Sequence, residues 1–429
     1  MVAVAGGFRA PFPRYWLSGF LSDFGDGVRL AAFPLLATQF THSPTAVAAV
    51  TAVQGLPWLV MGAGLGVIVD RTNRRRLMVI VDIARAAVIA ALALAILAHS
   101  AGLLLIYLTA FVTGIGSALR GTAQVTCVPR LVEAADLDQA YGRVIAGQIV
   151  GNELAGPAAG GWLFGLAAVL PFAVNAGALG IAVLLLLTLP SVFQPPSRGP
   201  GASAASRLFS LRHDLGEGAR WLWHHSEIRD LTVAVGVISA MDAAWFAILV
   251  LYVVQVLHQK PGAYGLLLAF AALGGIGTGA IGTRLTRRLG PWRSLLIAGL
   301  AMAATQTGLG LSANVFVAAA MLLASSAAFA LFNMTAVTMR QRLIPAELLG
   351  RVSSLYSTAG RGAEALGAIT GGSLAAAAGI RAPMLVGAAP IVAVTAVFAW
   401  RHRRSHQLSP GLPPAGANRA GHEPGQGLP

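Results

Sequence analysis

Long apolar runs separated by short polar joints set the pattern of this chain. Runs of mostly apolar residues fall near 15–39, 45–69, 77–98, 102–125, 144–166 and 168–190. Six more fall near 230–257, 262–283, 294–312, 315–339, 352–378 and 382–400. A bilayer core requires about 20 such residues per helix. The pattern therefore predicts an all-α integral membrane protein with twelve transmembrane helices in two sets of six. Between the sets lies SVFQPPSRGPGASAASR, Ser191 to Arg207, whose Pro, Gly and Ser content marks a linker. The following SLRHDLGEGARWLWHHSEIRDL mixes charge with Leu211, Trp221 and Trp223, as suits either a helix lying at the membrane interface or a plain connector. The expected division is a first six-helix bundle over 1–190, a cytoplasmic linker with an amphipathic helix over 191–229, a second bundle over 230–401 and a disordered cytoplasmic tail over 402–429.

Charge changes this picture by giving it a direction. Arginines crowd alternate joints: Arg71, Arg74, Arg75 and Arg76 after span 2, Arg130 and Arg143 around the joint after span 4, and Arg284, Arg287 and Arg288 after span 8. Arg340, Arg342 and Arg351 follow span 10, Arg401, Arg403 and Arg404 follow span 12, and the opposite joints hold only Lys260 and Arg381. Basic residues are retained on the cytoplasmic side, so both termini are expected there, in a multi-pass protein of the plasma (inner) membrane. The balance of +14 is dispersed among these joints, with no basic domain to track a phosphate backbone, which argues against a nucleic-acid partner. Cys127 is the only cysteine and the nine histidines fall in joints, segment ends or tails, so no cofactor or metal is expected. No GxxxxGK[ST] sequence is present to cradle a nucleotide phosphate, and an enzyme or ATP-driven pump is not expected.

The second half repeats the first. Gly66, Asp70, Arg71, Arg74 and Arg75 recur as Gly279, Thr283, Arg284, Arg287 and Arg288, each 213 residues on. Arg130-Leu131-Val132 matches Arg342-Leu343-Ile344 at 212, and Glu153, Gly156, Gly160 and Gly161 match Glu364, Gly367, Gly371 and Gly372 at 211. Three nearly equal offsets indicate duplication, which places any substrate path between the halves.

At these residues the sequence resembles the major facilitator superfamily. The GxxxDRxxRR of Gly66 to Arg75 is similar to that family's motif between helices 2 and 3. SDFGDGVRLAAFPLLATQFTHSP, VDIAR, PRLVEAADL and NELAGPAAGG resemble the branch holding the enterobactin exporter and related drug-efflux proteins. The resemblance implies a monomeric secondary transporter working by alternating access, exporting a hydrophobic or amphipathic small molecule in exchange for protons. A proton-coupled importer of a metabolite, or a lipid-handling or signalling membrane protein, fits the same architecture. It also implies that Asp70 latches the first half to the start of helix 11, with Arg71, Arg74 and Arg75 holding the joint; fixing topology is the plainer role of the same arginines. Gly156, Pro157, Gly160 and Gly161 resemble the exporters' helix 5 motif, while small-residue packing accounts for much of the same pattern.

Charges within spans are costly and face a cavity or a partner. Asp23, Asp26 and Arg29 share one face of span 1, with Asp26 the first choice for coupling. Glu153, Asp242 and the Arg361/Glu364 pair are further coupling or substrate candidates, with structural ion pairing the alternative. Trp245 and Phe246, beside Asp242, are candidates for substrate contact. Asp82, Arg85 and Arg120 are expected to join Asp70 in a gate network.

Overall fold

The computed structural model describes residues 11–189 and 219–407, and among these every regular element is helical. The first half contains α1 (Pro11–Thr38), α2 (Pro44–Arg71), α3 (Arg74–Leu97), α4 (Leu103–Cys127), α5 (Leu137–Gln148), α6 (Gly156–Leu166) and α7 (Leu170–Leu187). The second contains α8 (Ser226–Phe246), α9 (Pro261–Leu289), α10 (Pro291–Leu311), α11 (Val315–Leu343), α12 (Ala346–Ala378) and α13 (Ala382–Gln407). Proline opens many of them, including α2, α9 and α10, because the first turn has no use for the amide hydrogen that proline lacks. Asn73 and Asn314 start α3 and α11 by accepting from backbone amides two or three residues on. Among the described residues seven helical stretches are long and apolar enough to cross a membrane. α1 is not among them: with Asp23, Asp26 and Arg29 within seven residues, it gives up apolarity to carry chemistry.

Three expected elements differ. The span read as 144–166 is two helices, α5 and α6, joined by a π-helical segment, Ile149–Ala155. Pro157 explains the wide turn: its ring would clash with the carbonyl one α-turn back, and π geometry opens that turn. The span read as 230–257 breaks after Phe246, resumes at Leu249–Leu251 and ends in a second π segment, Tyr252–Val256. There the Tyr252 hydroxyl donates to the carbonyls of Leu309, at 2.9 Å, and Ser312, at 3.0 Å. α13 continues to Gln407, past residue 402 where a tail is expected, and 408–429 lie outside the described residues. Arg401 anchors this extension with two contacts to the Asp230 carboxylate, at 3.1 and 2.9 Å. The linker over 191–207 also lies outside the described residues. Only a helical turn over 219–224 of the expected interface helix is described; its Trp221 and Leu222 pack with Ile344, Leu348 and Val352 while Trp223 is exposed.

Helix packing follows the repeat. α1 packs on α7 and α6, α3 on α7 and α4, and α2 on α4; in the second half α8 packs on α13 and α12, α10 on α13 and α11, and α9 on α11. Two helix pairs make the main joins between the halves, α2 with α12 and α6 with α9; the π segment and α1 also touch α9, and α1 touches Leu249–Leu251. Glycine makes both joins close. A Cβ on Gly161 would lie 2.7 Å from backbone atoms of Gly265, and one on Gly372 would lie 3.1 Å from the backbone of Pro44 and Thr45.

The apolar core is divided unevenly. One cluster mixes both halves, joining Ala31 to Ala37, Val47, Ile89 and Phe172 with Leu249 to Val253, Tyr264, Ala375 and Met384. These residues lie toward the joints that are poor in arginine. Toward the arginine-rich joints the halves keep separate cores, one around Tyr15, Met78 and Leu186 and one around Leu295, Met302 and Phe332. Among the described side chains, the halves are thus welded at one end and parted at the other.

Replacing Gly161 with Val inserts a branched side chain where α6 and α9 touch backbone to backbone. The expected cost is about 1–3 kcal/mol, the range for overpacking a tight contact. Thermal unfolding of the purified variant in detergent checks it, with Gly177→Ala, where a Cβ meets nothing within 4 Å, as the silent control.

Candidate functional site

Between the halves lies a cavity of about 680 Å³. Its walls come from α1, α2, α4, α5 and the π segment on one side, and from α8, α11 and α12 on the other. The chain directs its few intramembrane charges here: Asp23, Asp26, Arg29, Arg120, Asp242, Arg361 and Glu364 all line it.

The first-half wall is an ionic network. Asp26, midway along α1, accepts from Arg29 at 2.8 Å, from Ser117 at 3.1 Å and from the Arg85 guanidinium. Arg29 also donates to Thr113 at 2.7 Å and Ser117 at 3.0 Å. Directly behind the wall, Asp82 is 0 % exposed and is held by Arg85 at 3.4 Å and Arg120 at 3.0 Å. Arg85 adds a bond to Ser22 at 3.0 Å, and Arg120 adds Ser18 at 3.1 Å and Gln124 at 3.3 Å. An unpaired charge at this depth would cost several kcal/mol, and the network removes that cost by giving each arginine a carboxylate. Asp23 differs from its neighbours. Its contact is the Gln124 amide at 3.5 Å, and no cationic group among the described residues lies within ion-pair distance of it.

The second-half wall is sparser. Asp242 accepts a hydrogen bond from the Trp245 indole at 3.2 Å. Arg361 pairs with Glu364 at 3.1 Å and places its guanidinium 5.4 Å from the ring centre of Trp58, a cation–π contact that reaches from α12 to α2. Phe246 and Phe329 supply aromatic surface.

The structure therefore gathers most of the expected residues and sorts them. Trp245 does not line the cavity; it is 4 % exposed, packs in the shared core and serves by orienting Asp242, while Phe246 faces inward. Glu153 is exposed and outside the cavity, because it stands on the outer side of the π segment whose Asn152 faces inward. Asp82, Arg85 and Arg120 form one network with Asp26; their expected link to Asp70 falls outside the described residues. The side chains of Gly66, Asp70 and Arg71 lie outside the described residues. Arg74 is buried, and Arg75 donates to the carbonyls of Leu186, at 2.8 Å, and Leu187, at 2.5 Å, capping the end of α7. Gly156, Pro157, Gly160 and Gly161 are buried: Gly156 and Gly160 press on Gly27 and Val28 of α1, and Gly161 on α9. Sequence reasoning missed the polar partners Ser22, Thr113, Ser117 and Gln124. A signal existed, since Thr113, Ser117, Arg120 and Gln124 recur every three or four residues along α4 and so share a face with the acids' partners.

Neutralising Asp82 tests the network. Asp82→Asn leaves Arg120 buried without its carboxylate, and a loss of about 3–5 kcal/mol is expected, the range for breaking a buried pair. Asp242→Asn, which breaks no ion pair, is expected to unfold within about 1 kcal/mol of the parent. Thermal unfolding of both variants in detergent makes the comparison.

Known proteins with similar sequences and structures agree with this architecture. The family model described as Major Facilitator Superfamily matches residues 15–368. The chain is 26% identical over 415 residues to the multidrug efflux pump Tap of Mycolicibacterium fortuitum, covering 92% of this chain and 97% of that one. It is 26% identical over 383 residues to Tap of Mycobacterium tuberculosis, covering 86% and 88%. Among solved structures, the nucleoside transporter NupG superposes with a TM-score of 0.71 at 14% identity, covering 91% of this chain and 98% of that one. A bacterial homologue of the iron transporter ferroportin in an inward-facing state superposes with a TM-score of 0.72 at 18% identity, covering 90% and 97%.

Proposed function

The chain belongs to the Major Facilitator Superfamily, and from that premise we propose that it exports a hydrophobic or amphipathic small molecule by proton antiport. It is a multi-pass membrane transporter and not an enzyme. The observation that carries the proposal is the cavity shared by the two halves, whose walls hold ionisable groups beside aromatic surface. In this reading twelve spans form two six-helix bundles, over 1–190 and 230–401, of a monomer in the plasma membrane. The arginine-rich joints and both termini are cytoplasmic, so the parted end faces the cytoplasm and loads substrate from inside. Alternating access then consists of rocking the halves about the α2/α12 and α6/α9 crossings. Efflux, as opposed to uptake, is supported by the Tap relatives and by the helix 5 glycines.

Coupling is assigned to Asp23 and Asp242 in preference to Asp26. Protonating Asp26 requires breaking ion pairs to Arg29 and Arg85, whereas protonating Asp23 or Asp242 breaks none. Asp70 is assigned the cytoplasmic latch, closing onto the start of α12 when the parted end shuts.

Proteoliposomes with an imposed proton gradient test the reading. Amphipathic drugs are expected to drive proton movement against their own flux, and the movement is expected to vanish in Asp242→Asn. Uptake in the same direction as the proton would establish an importer, and no flux with any compound would overturn transport by this route. Asp70→Asn is expected to slow turnover several-fold with membrane insertion intact; unchanged turnover would remove the latch. Because Cys127 is buried, a cysteine introduced at Ser100 or at Arg288 can be labelled from either side of the membrane without background. Labelling of Arg288→Cys from outside intact cells would reverse the assigned topology.

A further inference from the structure

The two walls of the cavity carry different charge. The first-half wall with the layer behind it has three acids, Asp23, Asp26 and Asp82, and three arginines, Arg29, Arg85 and Arg120, so it is balanced. The second-half wall has two acids, Asp242 and Glu364, and one arginine, Arg361, which is committed to Glu364. One carboxyl group is left without a cation to balance it, that of Asp242. The duplication sharpens the point. At the 213-residue offset Asp242 occupies the position held by Arg29 in the first half, so the sign of the charge is reversed at equivalent places on the two walls.

We propose that Asp242 forms a subsite for one positive charge and that the molecule carried is an amphipathic monocation; the proposal rests on the transport reading above. Around Asp242 the wall is built for an organic cation. Phe246 lies one helical turn along the same face of α8, and Phe329 adds a second aromatic surface from α11. A desolvated ammonium or phosphonium gains from both the carboxylate and the rings. A bare metal ion does not fit, since hard cations take six or more oxygen ligands and the described residues hold no His/Cys/Asp/Glu cluster able to bind one. A second positive charge on the ligand would meet Arg361 on one side and Arg29 or Arg120 on the other. An anion would meet Asp242 itself.

The groups facing Asp242 are few. They are Trp245 on its own helix, Arg361 and Glu364 on α12, and Asp23, Asp26, Arg29 and Arg120 across the cavity. The parts of α11 and α13 beside α8, residues 315–339 and 382–400, contain no ionisable side chain. The exchange balances at one for one. When the cation arrives at protonated Asp242, the carboxyl O–H bond breaks, the proton passes to cavity water and an ion pair replaces the covalent hydrogen.

Equilibrium binding of tetraphenylphosphonium to the purified full-length chain in nanodiscs tests this, with proton release counted in weakly buffered solution. The expected results are affinity that rises with pH while Asp242 is protonated, close to one proton released per cation bound, and at least about tenfold weaker, pH-independent binding in Asp242→Asn. Asp242→Glu is expected to restore both the affinity and the proton release, which separates loss of charge from loss of fold. Tetraphenylborate, the same shape with opposite charge, is expected not to compete. Equal affinity for the borate, unaltered binding in Asp242→Asn, or two protons released per cation would each overturn the proposal. Binding needs no gradient, so intact binding without flux in liposomes would overturn the transport reading alone. Flux of other compounds with tetraphenylphosphonium binding indifferent to Asp242 would overturn the subsite alone.

Discussion

A carboxylate buried between two guanidinium groups governs the first half of this protein. Asp82 has no exposure to solvent and is held by Arg85 and Arg120, which reach in turn to Asp26, Ser22, Ser18 and Gln124. In surroundings of low dielectric none of these charges is affordable alone. Together they fix α1, α3 and α4 relative to one another and set Asp26 in the cavity wall. The ionic layer is architecture before it is mechanism, and it is why the acid that looks most like a proton carrier is the one least free to take a proton.

The duplicated backbone does not carry duplicated chemistry. At the repeat offsets Asp82, Arg85 and Arg120 correspond to Leu295, Ala298 and Phe332, which form the apolar core of the second half. Identical helix pairings are thus held by charge on one side and by apolar contact on the other. Under the transport reading proposed above, the difference suits the two walls to different parts of an amphipathic guest. A saturated polar wall offers hydrogen bonds with little net charge, and the facing wall offers rings with one uncompensated acid.

Glycine contacts decide where motion is possible. Gly161 against Gly265, and Gly372 against Ala48 and the backbone at the start of α2, let the helices approach closely at the welded end. At the parted end the described side chains of the two halves form separate apolar cores. The Arg361 contact with Trp58 spans the halves beside the cavity, so a shift of α12 against α2 alters that wall directly.

Much of this was legible in the sequence, because a bilayer imposes a minimum apolar length and positive charge has a preferred side. The helices, their repeat at offsets of 211 to 213 and the gathering of intramembrane charges between the halves all follow from those constraints and the cost of a lone charge. The breaks in the fifth and seventh spans did not follow, since π turns depend on how Pro157 and the end of α8 are accommodated by their neighbours. Nor did the sorting of the candidates. Asp26, Asp242 and Glu153 look alike as acids within apolar runs, and only tertiary packing gave the first two guanidiniums, the second an indole and the third an exposed outward face. Sequence spacing specifies which face of a helix a residue shares. What stands opposite that face is decided by how other helices pack against it, as Arg85 of α3 and Ser117 of α4, 59 and 91 residues along the chain, stand against Asp26, and the state of a buried charge depends on that partner.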